Sequence, residues 1–101
     1  MASATNVYER DIPVASATVP VRLDDPATNP APATRYWVRV VNSHATKKVF
    51  IGHSSAMTNV TNCEIVDPSN GVWEDRASPS IPIFALSEDG TSITVRIKQY
   101  V

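Results

Sequence analysis

Arg35-Tyr36-Trp37-Val38-Arg39-Val40-Val41-Asn42, then the polar break Ser43 to Lys48, then Val49-Phe50-Ile51-Gly52: this stretch decides the fold. β-Branched and aromatic residues dominate both runs, and a short polar break between two such runs is a hairpin signal. Successive side chains of a strand alternate, so Tyr36, Val38 and Val40 point one way and Trp37, Arg39 and Val41 the other. Both sides carry apolar groups, as in the central strand of a sandwich. On the returning run Val49 and Ile51 share one side, Phe50 takes the other, and Gly52 ends it.

Downstream, the chain keeps the rhythm of short strands. Cys63-Glu64-Ile65-Val66 reads as a strand with Cys63 and Ile65 on one face. Asp67-Pro68-Ser69-Asn70-Gly71 is the strongest turn signal, and Val72 and Trp73 follow it. Ile81 to Leu86 is an apolar run that Pro82 demotes toward a sheet edge. Ile93, Val95 and Ile97 alternate with Thr94, Arg96 and Lys98, which predicts a half-buried strand. His53 to Asn62 reads as a loop. No segment has helical periodicity over three turns. About six to eight strands spaced roughly ten residues apart predict an all-β fold: one antiparallel β-sandwich or jelly-roll-like barrel.

Upstream, five of the eight prolines lie before residue 33. Val7 to Ile12 and Val14 to Leu23 have short-strand character, but Pro13 and Pro20 cannot donate ladder hydrogen bonds. The expected organisation is an extended N-terminal arm, residues 1–34, and a sandwich domain, residues 35–101. Val7, Tyr8, Ile12 and Val14 of that arm are candidate partner-binding residues, the alternative being an arm folded back as the first edge strand. Trp73 joins them, because aromatic residues concentrate at interfaces, although core filling is the ordinary role of a tryptophan.

Nine basic and ten acidic residues give a formal net charge of −1, far from the basic footprint of a nucleic-acid binder. No apolar run is long enough for a spanning helix, and the N-terminus lacks a secretory pattern, so neither membrane insertion nor export is expected. Cys63 is the single cysteine and allows no internal disulfide. A zinc site would use nearly all of His44, His53 and Cys63, so His44 is expected as a hairpin-tip residue and His53 as a loop residue, and three scattered glycines build no phosphate loop. No nucleophile, base and orienting group come together in the pattern. The expectation is a protein with no enzymatic activity, cofactor or metal.

Arg39-Val40-Val41-Asn42, Lys48-Val49-Phe50-Ile51-Gly52, Ile81 to Leu86, and Gly90-Thr91-Ser92-Ile93-Thr94-Val95-Arg96-Ile97 follow one another in a characteristic order. In this the segment from about residue 36 to residue 101 resembles small structural proteins of tailed-bacteriophage virions. The family form places a Gly-rich turn and a Pro-Gly before its penultimate strand; here Asp67 to Gly71 and Ser78-Pro79-Ser80 stand there instead. The resemblance implies a virion component assembled in the host cytoplasm. Its first form is a capsid decoration (cement) protein that bridges and stabilises capsid subunits. The partners would be capsid or other virion proteins, and the protein itself a homo-oligomer, with a trimer as the first expectation. The alternative is a tail or fibre accessory module binding a receptor or carbohydrate, with Trp37 or Trp73 as a stacking platform.

Overall fold

The computed structural model describes residues 7–101. Those residues form eight strands in two antiparallel sheets. One sheet has the order β1 (Val7–Val14), β8 (Ile93–Tyr100), β3 (Trp37–Asn42), β6 (Gly71–Arg76). The other has the order β2 (Val21–Arg22), β7 (Phe84–Ser87), β4 (Val49–Gly52), β5 (Glu64–Val66). The all-β sandwich expected from the strand rhythm is the observed architecture.

The pairing has a simple logic. β1 pairs with β8, β2 with β7, β3 with β6 and β4 with β5. The chain is thus one antiparallel ribbon whose two halves run back along each other. It is rolled so that alternate strand pairs fall in opposite sheets. β3 with β8, and β4 with β7, then pair edge to edge and complete each sheet. This is the connectivity of a jelly roll.

The alternation of apolar residues decides which face of each strand turns inward. Val38 and Val40 of β3, Trp73 of β6, Ile93, Val95 and Ile97 of β8, and Val14 of β1 meet Val49, Ile51, Val66, Ala85 and Ile83 of the opposite layer. A second, smaller cluster lies on the outer face of the β4 sheet. There Phe50 and Leu86 are covered by Met57 from the 53–63 loop, with Cys63 and Phe84 at its margin. β4 is therefore buried on both faces, as its unbroken apolar run requires.

Several expectations are corrected by this topology. The runs at 37–42 and 49–52 are not a hairpin: β3 and β4 lie in different sheets. Each is flanked by two other strands, so neither edge is left for the other. Asn42, fully buried at the end of β3, turns the chain. Its Nδ2 donates to the carbonyls of Lys47 (2.8 Å) and Val66 (3.2 Å), and its Oδ1 accepts from the His44 amide. His44 Nδ1 in turn accepts from the amides of Thr46 and Lys47. The break is thus an arch held by side chains.

Residues 7–34 do not stand apart as an arm. β1 pairs with β8 along all of its eight residues, β2 pairs with β7, and Val14 and Leu23 are sealed in the interior. The ribbon needs them: without β1 and β2, the strands β8 and β7 would each lose a neighbour. Residues 1–6 of the expected arm lie outside the described residues. One smaller expectation also changes. Pro82 precedes β7 rather than lying in it, so β7 occupies an interior position of its sheet. On β5, Ile65 lies on the outer face opposite Phe50, the side on which Cys63 also packs, and Val66 faces inward.

Candidate functional site

The five residues expected to bind a partner fall into two groups. Val14 has no exposed surface, Ile12 packs on the core, and Trp73 is 7% exposed, so these three serve the interior. A side chain so enclosed offers nothing to a partner surface. Val7 and Tyr8 are 43% and 52% exposed. They open β1, which among the described residues is an edge strand with no neighbour on its far side.

The register shows what surrounds them. Val7 lies opposite Tyr100 of β8, which lies opposite Trp37 of β3. All three side chains project from the outer face of the sheet and are half-buried or exposed. Tyr36, 54% exposed, adjoins this row, its amide donating to the Tyr100 carbonyl at 3.0 Å. The outer face at this end of the sheet therefore presents Val7, Tyr100 and Trp37, and Tyr8 projects from the other face of β1.

The next rows are charged. Glu9 lies opposite Lys98 and then Arg39 and Glu74, and Asp11 lies opposite Arg96. Lys98 and Glu9 pair at 3.4 Å, Arg96 and Asp11 at 3.0 Å. The Arg96 guanidinium, donating to Asp11, holds that carboxyl below the usual carboxylate range, and Asp11 raises Arg96 in return. Such cross-strand pairs stabilise little but keep the outer face hydrated.

On the inner side of β1 a groove of about 460 Å³ opens between Tyr8, Arg10 and the loop Asn29 to Thr34, with Val101 at its end. Pro30 and Pro32 stiffen that loop, and a buried network fixes its position. Asp25 Oδ1 accepts from the Ala27 amide, closing the turn that leads into it. Asn29 Nδ2 donates to the Leu23 carbonyl. Below it the fully buried Arg35 donates to Asp24, Gln99 and the carbonyls of Ala77, Ser78 and Ile81. Asp24 also accepts from the Ile83 amide and Arg22. Nothing in the residue pattern had distinguished Arg35 or Asp24 from surface charges.

A second concavity, about 540 Å³, lies where the β5 and β6 edges part. It collects His53, Ser54, Cys63, Glu64, Trp73 and Asp75, residues the sequence had left scattered. His53 Nδ1 faces the Pro82 carbonyl at 3.0 Å, so that nitrogen carries the proton, and its ring leans on Trp73. Glu64 accepts from the Trp73 indole. As an acyl-transfer centre the arrangement fails at its contacts. The carboxylate serves Trp73 rather than His53, and no hydrogen bond joins Cys63 to His53. Among the described residues no group of three His, Cys, Asp or Glu side chains is arranged to hold a metal. The edge of β1, with its aromatic end and adjoining groove, is the better candidate for function. Compared with protein-family models, curated proteins and solved structures, the chain has no match.

Proposed function

We propose that this protein is a structural component of a bacteriophage virion, without enzymatic activity. Its role is that of a capsid decoration protein that docks through the β1 end and braces the joints between capsid subunits. One observation carries the reading. Val7 and Tyr8, 43% and 52% exposed, open the unpaired edge strand, and Val7 continues the outer-face row of Tyr100 and Trp37. Apolar clusters of this kind, rimmed by charged rows, mark interaction surfaces. The jelly roll supports the reading by analogy, since capsid domains use it, as do lectins. The resemblance of residues 36–101 to small virion proteins points the same way. A protein that binds only the assembled shell stabilises it by mass action, with many copies acting together.

The test is sedimentation with purified shells that lack the protein. Tyr8→Asp should fold and fail to bind. Ile65→Asp, altering an equally exposed apolar residue on the other sheet, should bind as the parent does. Equal shell binding by the Tyr8 and Ile65 variants would overturn the β1 docking surface. Light scattering of the free protein checks the proposed trimer.

The second reading, a carbohydrate- or receptor-binding module of a tail or fibre, draws on the half-exposed Trp37 beside Tyr100. It requires Trp37 fluorescence to respond to added glycans, with Trp37→Phe as the silent control. Copy number separates the two positions: hundreds per particle for the capsid, a dozen or fewer for the tail.

A further inference from the structure

We infer that the free edge of β1 receives an extended segment of a different polypeptide, one that presents an acidic side chain to Arg10. The inference rests on the reading of the β1 end as the docking surface, and it names the chemistry of what docks. Three observations lead to it.

The first is geometric. Among the described residues β1 has a neighbour on one side only, and a chain added to its open edge would extend the sheet by one strand. Side chains of such a strand alternate between the outer face and the groove. Those entering the groove meet Tyr8, Arg10 and the proline loop Pro30 to Thr34, a wall that the Arg35 network holds in place.

The second concerns charge. Among the described residues Arg10 has neither an ion pair nor a side-chain hydrogen bond, whereas Glu9 and Asp11 beside it are matched to Lys98 and Arg96. Its guanidinium is the charged side chain of a groove otherwise lined by Tyr8, Asn29, Thr34, small or apolar residues and the Val101 end. A carboxylate opposite it would form a charge-assisted pair partly shielded from water, stronger than a surface pair.

The third weighs against a second copy of β1 paired through its charged run. Two copies related by a two-fold axis place residues opposite each other symmetrically about one residue, which then faces itself. Centring on Glu9, Arg10 or Asp11 sets that charge against its own copy, and centring on Arg10 also sets Glu9 against Asp11. Like charges directly opposite one another destabilise a strand pair. Centring on Ile12 puts Pro13, which has no amide hydrogen, into the ladder. The run Glu9 to Asp11 is thus guarded against its own copy while remaining open to a strand of complementary charge, and self-pairing through Val7 and Tyr8 is an outcome that the test below reads.

The test uses the whole chain and the peptide acetyl-Thr-Val-Thr-Glu-Thr-Val-Thr-amide. Its sequence reads the same in both directions, so Glu reaches Arg10 whether the strand adds parallel or antiparallel. Backbone amide shifts of the labelled protein are followed during titration, alongside a peptide with Lys in place of Glu. Binding should perturb Val7 to Ile12 together with Ala31, Ala33 and Thr34. The Glu peptide should bind about tenfold more tightly than the Lys peptide, the equivalent of one good charge-assisted contact. Arg10→Glu should reverse the preference and Arg10→Gln should erase it. Equal binding of the two peptides, perturbation confined to other regions, or concentration-dependent shifts of β1 in the protein alone would each overturn the inference. Shell binding by a protein with no peptide preference would remove only this inference. Peptide preference by a protein that never binds shells would remove only the virion reading.

Discussion

Arg35 and Arg96 each face an aspartate at 3.0 Å, yet one pair is sealed inside the sandwich and the other lies in water. Arg35 distributes its guanidinium donors among Asp24, Gln99 and three backbone carbonyls, so the cost of removing the charge from water is met by directed contacts. The contacts reach residues 24, 77, 78, 81 and 99, and they clamp the long β2–β3 connection onto β8 and the segment before β7. Arg96 touches one carboxylate on a neighbouring strand. The same two side-chain types serve as an internal strut in one place and as surface covering in the other. What separates them is how many acceptors the surrounding backbone supplies.

The sharpest way to break this comparison is Arg35→Ala. It leaves Asp24 buried with only Arg22 and the Ile83 amide, and removes the Arg35 donor from the carbonyls of Ala77, Ser78 and Ile81, of which Ser78 keeps the Ile81 amide. Urea unfolding should show a loss of about 3–5 kcal/mol. Arg35→Lys should recover only part of it, because an ammonium cannot span five acceptors as a planar fork does. A loss no larger than that of Arg96→Ala would mean that burial does not set the role of the pair.

Gly52→Ala comes next, as a probe of the covered sheet face without any charge. A Cβ there would lie 2.6 Å from the Asn62 carbonyl oxygen and 2.9 Å from Met57 Sδ. The backbone contact cannot rotate away, so the 53–63 loop must lift from Phe50 and Leu86. The expected cost is about 1–3 kcal/mol, and faster exchange of the Phe50 amide should report the lifting.

Acid titration addresses the exposed pairs. The Lys47 ammonium, 2.8 Å from Asp89, and the Thr91 amide hold the Asp89 carboxyl well below its usual range, as Arg96 does for Asp11. A carboxyl whose pKa is lowered in the folded state contributes stability above its ordinary value, and that stability is lost as pH falls through the lowered one. The thermal midpoint should therefore fall below about pH 4, and Asp11→Asn/Asp89→Asn should flatten that limb. Arg96→Ala at neutral pH is the smallest expected effect, and added salt at ~0.5 M should erase it.

How much of this was legible from the residues depends on whether the signal is local. The alternation of Ile93 to Ile97 and the two-sided run at Val49 to Ile51 announced strands correctly, because period and burial act on neighbouring side chains. Which strands pair was not local. The break at 43–48 has hairpin composition, and only the presence of β6 and β8 on either side of β3 makes it an arch. The pairing of Arg35 with Asp24 and Gln99 left no local signal, because the partners lie 11 and 64 residues away. Of the candidate site, Val7 and Tyr8 were readable as apolar residues on a charged strand. The groove beside them was not, since it exists only after the proline loop is clamped down. Trp73 and Val14 were misplaced for the opposite reason: an apolar residue looks the same in a list whether a neighbouring sheet covers it or not.

The ribbon described above has a consequence for how the protein is made. Its first strand pairs only with its last, so a chain leaving the ribosome holds β1 without its mate until residues 93–100 emerge. β2 waits similarly for β7, and the donors of Arg35 wait for Gln99. Only β4 and β5, at the tip of the ribbon, find each other early. The order of synthesis is thus the reverse of the order of closure: the fold begins at its middle and is sealed at its two ends together. Such late, distant pairing folds slowly and exposes strand edges meanwhile. The charges of Glu9, Arg10 and Asp11 then guard the nascent strand against its copies on neighbouring ribosomes before β8 arrives to claim it.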